Sequence, residues 1–398
     1  MKVLMVSDAR NIHTKRWATA LKTEGVDLIL FSITLPEDDF YERNHIKIYT
    51  FDLFRYKTKT GLRKAFDNVC LHRQAVNRLK EILKLEKPDL LHAHYATSYG
   101  LIAALSGFHP YIISVWGSDV YEYPYKSFIN KQLVKYVLRH SDRILSTSHV
   151  MALQTRKFCD RGIGITPFGV DTGLFRPADR PDPQPARKPL EEWTMQTPTA
   201  TETGLAIEID KPKKLTFGTV KTLSYKYGID LLIQAYAIFV ENHKDIDSRL
   251  LIAGKGKDRE SLERLAERCH VADKVDFLGE VPHEELPALY AKFDIAVFLS
   301  REESFGVSVV EAMSCGCPVI VSDADGFKEI VEHDKTGLLV HRSDIDMAAQ
   351  AMTELALDPE KRARLGKAAR KHVVSLYEWR GNVRLMLDEY RDVISMGW

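Results

Sequence analysis

The chain has 398 residues and a formal net charge of +1, with 45% apolar and 28% charged residues. This is the composition of an ordinary globular protein, and the length suits two domains, because one core rarely outgrows about 250–300 residues. No run reaches the roughly 18 apolar residues that cross a bilayer, and the five cysteines form neither a paired framework nor a CxxC…CxxC metal pattern. Reduced thiols and a start, MKVLMVSDAR, with too short an apolar run for a signal peptide lead to the expectation of a cytoplasmic protein whose membrane contact is at most peripheral. The near-neutral total hides an asymmetry. Residues 1–177 carry 26 Lys+Arg against 17 Asp+Glu, which suits an anionic partner such as a phospholipid surface or a phosphorylated substrate, or is a solvated surface with a chance imbalance. No nucleic acid is expected as a partner.

From the N-terminus, short apolar runs alternate with longer amphipathic stretches. KVLMV (2–6), DLILFSI (27–33), IKIYTF (46–51), LLHAH (90–94), YIISV (111–115) and RILSTS (143–148) read as strands, with helices over 12–24, 62–86 and 127–140. That order predicts an α/β fold with a parallel, doubly wound sheet. The loop after the first strand, SDARNIHTKRW, precedes any glycine up to Gly25, so the G-x-G-x-x-G of a dinucleotide site is absent. It offers Asp8, Arg10, His13 and Arg16 at a strand's C-terminal end, either as ligand contacts or as caps on a solvated helix face. His94 ends LLHAH nearby. RYKTKTGLRKAF (55–66) gathers Arg55, Lys57, Lys59, Arg63 and Lys64 before an amphipathic helix, either as a patch for anionic lipid or as a solvated loop.

The stretch 178–211 reads as a linker or insertion, since residues 178–204 are rich in Pro, Thr and charge. Strands resume with KLTFGTV (214–220), RLLIAG (249–254), KVDFLG (274–279), DIAVFLS (294–300) and PVIVSD (318–323), and the tail from about 344 is helical. The expected organisation is a first Rossmann-like domain over 1–177 and a second over 212–378, facing each other across a cleft where ligands bind.

The chemistry concentrates in the second half. GTVKTLSYKYGID (218–230) ends a strand with Gly218, which permits close backbone approach, and with Lys221 and Lys226, two cations suited to a diphosphate or simply to solvent. SREESFGVSVVEAM (300–313) sets Glu303 and Glu311 eight positions apart around the start of an apolar helix. Free amides of Phe305, Gly306 and Val307 suit phosphate oxygens, whereas carboxylates repel them. The acids therefore suit vicinal hydroxyls, each charge-assisted bond worth about 1.5–3 kcal/mol, and hydroxyls flanking a diphosphate describe a nucleotide sugar. An acid stabilising its own helix explains one Glu equally well, but not Glu311 inside the apolar run. Three D-x-D triplets, Asp245/Asp247, Asp323/Asp325 and Asp344/Asp346, are the kind of pair that holds a metal against a diphosphate. With lysines and a helix terminus offsetting that charge, no metal and no cofactor is expected.

The second half resembles the donor domain of retaining glycosyltransferases of family 4, which have the two-domain GT-B fold. Their E-x7-E element is matched by Glu303 and Glu311, and EAMSCGCPVIVSDADGFKEIVEHDKTGLLV (311–340), LLIAGKGKDRESLERL, VDFLGEVPHEELPALY and PFGVDTGLFRP also read like the family. The resemblance implies that Lys221 and Lys226 bind the donor diphosphate, that Glu303 contacts the sugar and Glu311 the ribose, and that Gly254, Gly279, Glu280 and Val281 shape the base pocket. It implies an acceptor-binding first domain with Asp8, Arg10, His13, Arg16 and His94 on its side of the cleft, and a terminal helix, 379–398, crossing back to that domain. Asp119, in ISVWGSDVYEY, matches the family's His-Gly-Ser-Asp segment and joins Lys226 and Glu303 as an expected catalytic residue. The sequence departs where Trp116 holds the His position, where Thr219 follows Gly218, and where Ser304 stands for a frequent Gly. The expected activity is metal-independent transfer from a nucleoside diphosphate sugar, UDP before GDP, to a carbohydrate or lipid-linked acceptor in cell-envelope glycan or glycolipid synthesis. A nucleotide-sugar epimerase of the same architecture and a non-catalytic sugar-nucleotide-binding partner are the alternatives.

Overall fold

The computed structural model describes residues 1–52, 61–178 and 214–397, residues 61–69 by their backbone alone. The anticipated linker, all but its first residue, and the basic cluster Arg55, Lys57, Lys59, Arg63 and Lys64 therefore lie outside the described residues or side chains.

Strands β1 (Lys2–Val6), β2 (Asp27–Ser32), β3 (Lys47–Thr50), β4 (Leu90–His94), β5 (Tyr111–Val115), β6 (Arg143–Ser146) and β7 (Ile163–Ile165) form one sheet, ordered β3-β2-β1-β4-β5-β6-β7. Strands β8 (Leu215–Val220), β9 (Ser248–Ala253), β10 (Val275–Gly279), β11 (Ile295–Phe298), β12 (Val319–Ser322) and β13 (Leu338–Val340) form a second, ordered β10-β9-β8-β11-β12-β13. Every pairing is parallel. Helices cover both faces, which is why Val3, Leu4, Met5 and Val6 are all fully buried and the strands read as continuous apolar runs. The short strands β7 and β13 escaped the sequence pattern because three residues show no periodicity. Pro318 precedes β12 by one residue. Its carbonyl accepts the Ala296 amide at 3.0 Å, a bond that does not need the N–H proline lacks.

In each sheet the strand order reverses beside its first strand, between β1 and β4 and between β8 and β11, and such switch points open a crevice at the strands' C-terminal ends. The two sides touch around the cleft. Ser148 Oγ donates to the Ser304 carbonyl at 2.8 Å, and the amides of His149 and Val150, opening the helix His149–Arg156, donate to the Glu329 carboxylate at 2.9 and 3.1 Å. A carboxylate at a helix N-terminus meets free donors and the positive end of the dipole, so this contact is favourable across the domains.

The chain returns to the first sheet through its last helix. Val170 and Tyr377 are bonded N–H to carbonyl at 2.8 Å, Trp379 returns a bond to Val170 at 2.9 Å, and the helix Trp379–Ser395 follows. Its Val383, Met386, Leu387, Tyr390 and Val393 are buried against Val3, Met5, Leu28, Leu90 and Ile112. The Tyr390 hydroxyl lies 2.6 Å from His92 Nδ1, so the helix is tied to β4 by a buried polar contact as well. Tyr390→Ala is expected to cost about 3–5 kcal/mol in urea unfolding by opening a cavity. Tyr390→Phe is expected to cost only about 1 kcal/mol, for the hydrogen bond. An unchanged midpoint for the alanine variant would show that the helix adds nothing to the first core.

Candidate active site

The second sheet's strand ends build the floor of a cavity of about 510 Å3. β8 runs into Val220, Lys221 and Thr222, β9 into Gly254 and Lys255, and β10 into Glu280 and Val281. After β11 comes the segment Glu303–Ser308, while His13, Trp116 and Phe168 close the cavity from the first domain's side. Gly254 has φ +137°, and a Cβ there would collide with the Lys221 carbonyl oxygen, so only glycine lets these two strand ends meet.

Gly306, at φ +111°, caps the helix Val307–Ser314, and a Cβ on it would lie 2.8 Å from the Phe327 ring. Its carbonyl accepts the amides of Val309 and Val310 at 3.0 and 3.1 Å. The amides of Phe305, Gly306, Val307 and Ser308 have no acceptor among the described residues, and all four residues line the cavity. The Phe305 side chain, 2% exposed, is core, so its contribution to the cavity is backbone.

The charged groups are already engaged. Lys221 Nζ lies 2.5 Å from Glu303 Oε2, with both side chains about a tenth exposed, and it stands 4.7 Å above the Tyr227 ring. Lys226 lines a neighbouring cavity of about 540 Å3, in which its Nζ reaches Glu122 Oε1 of the first domain at 3.2 Å. Burial works against its charge there, and the Glu122 bond more than restores it, lifting its pKa above the ordinary value. Trp116, Tyr227, Glu303 and Ser304 line both cavities, so the two are one continuous cleft. Glu311 is 4% exposed, under the floor, with Tyr290 donating to Oε2 at 3.1 Å and His283 Nε2 at 3.3 Å from Oε1.

Several expected positions take other roles. Gly218 does not border the cavity. A Cβ there would run into the Phe293 ring, so its smallness serves packing inside β8. Gly279, at φ +74°, supports the wall through its carbonyl, which accepts the Gly254 amide at 2.7 Å. Asp119 is fully buried, and its carboxylate is taken up by the amides of Ala96 and Gly117 at 2.8 Å and of Trp116 at 3.2 Å. Burial holds its carboxyl above the usual range, and those amides offset only part of that rise. Its surroundings make it the brace of the Trp116 loop rather than a group facing the reacting atoms.

On the first domain's side, Asp8 and His94 line a third cavity, and His13 stacks on Phe168 at 4.1 Å over the cavity at the second sheet's strand ends. Burial, with Arg16 and His283 nearby, pulls the His13 imidazole down to about 3, and burial likewise lowers His94, so both rings are neutral at ordinary pH. Arg10 folds onto Asp8 at 3.2 Å. Arg16 lies over the Trp379 ring at 4.4 Å and borders a separate groove with Ile12 and Leu174. The partners of Glu311 went unseen in the sequence, because Tyr290 and His283 stand 21 and 28 positions away and only the fold joins them. Trp116, visible only as a departure, is the residue all three cavities share.

Among the described residues no group of three or more His, Cys, Asp or Glu is arranged to hold a metal. Asp323 and Asp325 instead meet Arg342, and Asp344 caps the helix Ile345–Leu357 by accepting the Met347 amide at 2.8 Å. No helix among them is long and apolar enough to cross a membrane.

Two doubly wound domains with a returning terminal helix, and a phosphate-suited cleft between them, define the GT-B class of architecture. Residues 206–372 match the family profile "Glycosyl transferases group 1" and residues 2–148 match "Glycosyl transferase 4-like". The chain belongs to this group of family-4-type glycosyltransferases. It is 25% identical over 361 residues to N-acetyl-alpha-D-glucosaminyl L-malate synthase of Bacillus anthracis, covering 84% of this chain and 86% of that one. To D-inositol 3-phosphate glycosyltransferase of Corynebacterium urealyticum it is 32% identical over 213 residues, 52% of this chain and 50% of the other. The chain thus spans about half the length of several curated relatives it matches. HepE of Anabaena, solved in complex with UDP and glucose, superimposes with a TM-score of 0.75 at 18% identity, covering 98% of this chain and 100% of that one, a likeness of fold.

Proposed function

We propose that the protein transfers a hexosyl group, with retention and without a metal, from a nucleoside diphosphate sugar to a hydroxyl of a carbohydrate or lipid-linked acceptor. The observation that carries this is the row of unpaired amides at residues 305–308 opening into the same cavity as Lys221 and Glu303. Donors of that kind suit the diphosphate, while acids beside them suit the alcohols on either side. Departure of the nucleotide breaks the bond from sugar C1 to the phosphate oxygen, and the electron pair stays on phosphate. The amides and both lysines offset that charge as it grows, the usual use of fixed donors at a leaving group. The acceptor oxygen attacks C1, and its proton passes to the departing phosphate on the same face, as the family resemblance implies. Asp119, committed to backbone amides, is not needed as a base.

UDP is the first donor to test, since a protein of this fold was solved with it. UDP-glucose, UDP-N-acetylglucosamine and GDP-mannose are to be incubated with and without acceptor sugars, with and without EDTA. Nucleotide release and the product's anomeric configuration are then followed by NMR. Acceptor-dependent release, insensitive to EDTA and giving the donor's configuration, is expected. Conversion of the sugar without acceptor would instead mark an epimerase, and binding without turnover a non-catalytic partner.

A further inference from the structure

A further cavity, of about 520 Å3, lies on the domain boundary beside the cleft, and the reaction described above makes no use of it. One wall is the first domain's helix His149–Arg156, through Val150, Leu153 and Gln154. The other is the second domain's helix Asp325–Ile330, through Lys328 and Glu329. Tyr121 and Asp325 line both this groove and the cavity that holds Lys226 and Trp116, so the two adjoin. A molecule whose head enters the cleft from this side has the groove for its remainder.

Its acids are committed. Glu329 accepts the amides of His149 and Val150, and Asp325 is paired with Lys328 at 3.0 Å and with Arg342 at 3.3 Å. Of the ionised lining groups only Lys157 has no ion pair among the described residues. The rest of the outer wall is apolar. Leu153 is 62% exposed there, and the neighbouring Gln154 donates to the Tyr125 hydroxyl at 2.9 Å. That bond fixes the Tyr125 ring, 60% exposed, beside the helix that carries Leu153. Phe128 and Ile129, 77% and 69% exposed, then open the helix Phe128–Arg139. Large apolar side chains exposed together mark a surface that something covers. At the inner end the Tyr121 hydroxyl is buried without a hydrogen-bond partner among the described residues. Burial, with Asp325 and Glu329 nearby, pushes it up to about 12, so it is a neutral donor in want of an acceptor.

We propose that the boundary groove seats the apolar chain of an amphiphilic acceptor, lying along Val150 and Leu153 and out over Tyr125, while the acceptor's hydroxyl-bearing head occupies the cleft. The assignment rests on the transferase reading given above and commits the acceptor to a molecule with an alkyl or prenyl chain. The order of the surfaces carries it: a polar cleft, one unpaired hydroxyl, then an apolar groove. A polar head, a linking oxygen and a hydrocarbon chain follow the same order, and the linking oxygen is the acceptor that Tyr121 lacks. A small water-soluble acceptor ends inside the cleft and leaves Leu153 uncovered. Because one wall comes from each domain, the chain is held only where the two domains meet.

The test is calorimetry of the full chain, saturated with UDP, against methyl, hexyl, octyl and decyl glucosides and mannosides, each below its critical micelle concentration. Initial rates from UDP-glucose and GDP-mannose are measured on the same series. Each methylene that leaves water is expected to tighten binding about two- to fourfold, so Kd and acceptor KM should fall at least about tenfold from hexyl to decyl. Leu153→Asp, at an exposed helix position, should flatten the series until hexyl and decyl differ by less than about twofold, with UDP affinity close to the parent's. Tyr121→Phe should weaken the longer glycosides several-fold and keep the slope, since only a hydrogen bond is lost. A flat series in the parent, or an undiminished slope in Leu153→Asp, overturns the groove while leaving the transferase reading standing. A flat series combined with Leu153-dependent sedimentation on phosphatidylglycerol vesicles overturns it too, giving these side chains to a bilayer surface. A parent that binds neither UDP nor any glycoside and consumes no donor overturns both.

Discussion

Replacing Lys226 by alanine is expected to lower transfer by about 10²–10³ in kcat while leaving the melting temperature almost unchanged. The two halves of this expectation come from different observations. Its ion pair with Glu122 is more than a third exposed on both sides, and pairs of that kind contribute about 0–1 kcal/mol to stability. In turnover the same ammonium faces the cleft beside Tyr227 and Glu303, where charge on a leaving diphosphate is not screened by bulk water. Donor binding is then expected to exchange Glu122 for a phosphate oxygen as its partner. Steady-state kinetics with thermal melting of the same sample checks both. Wild-type turnover in Lys226→Ala would count directly against a diphosphate-binding cleft. Lys221 is a less clean probe, because its removal strands Glu303, about a tenth exposed, without its cation.

Glu311→Gln is expected to raise the donor KM by about 10–100-fold with a smaller change in kcat, the signature of an interaction made equally in ground and transition states. The amide keeps an oxygen for the Tyr290 hydroxyl, which also reaches the Ser308 carbonyl at 3.2 Å, so the core beneath the cavity stays satisfied. What is lost is the charge that the family resemblance assigns to a bond with a ribose hydroxyl, although Glu311 itself does not border the cavity. Titration with UDP against UDP-sugar separates nucleotide from sugar effects, and both affinities should fall together. A donor KM equal to the parent's would show that Glu311 serves only to anchor Tyr290 and His283.

Much of the fold was legible because parallel strands buried on both faces tend to be apolar runs, and eleven of the thirteen strands described were read from largely apolar stretches. The helix start at Gly306 was legible for a related reason: glycine before an apolar helical stretch marks a backbone turn that other residues resist. Side-chain direction was not. Asp119 reads as a cleft acid from its place after a strand, yet the loop curls so that three amides claim it. Gly218 reads as a ligand approach, yet Phe293, brought in from before β11, occupies its face. Arg16 shares a loop and helix with Asp8 and His13 and still points into another groove.

Sequence by itself determined the two doubly wound domains, the helix terminus flanked by acids, and the cations at the end of β8, because each is a local pattern of periodicity, glycine and charge. Tertiary structure alone decided which of those groups share a space: Lys221 with Glu303, Lys226 with Glu122, Glu311 with Tyr290 and His283, and Trp116 with three cavities. These pairings join residues far apart along the chain, and their energies depend on distance and burial, which a linear pattern does not encode.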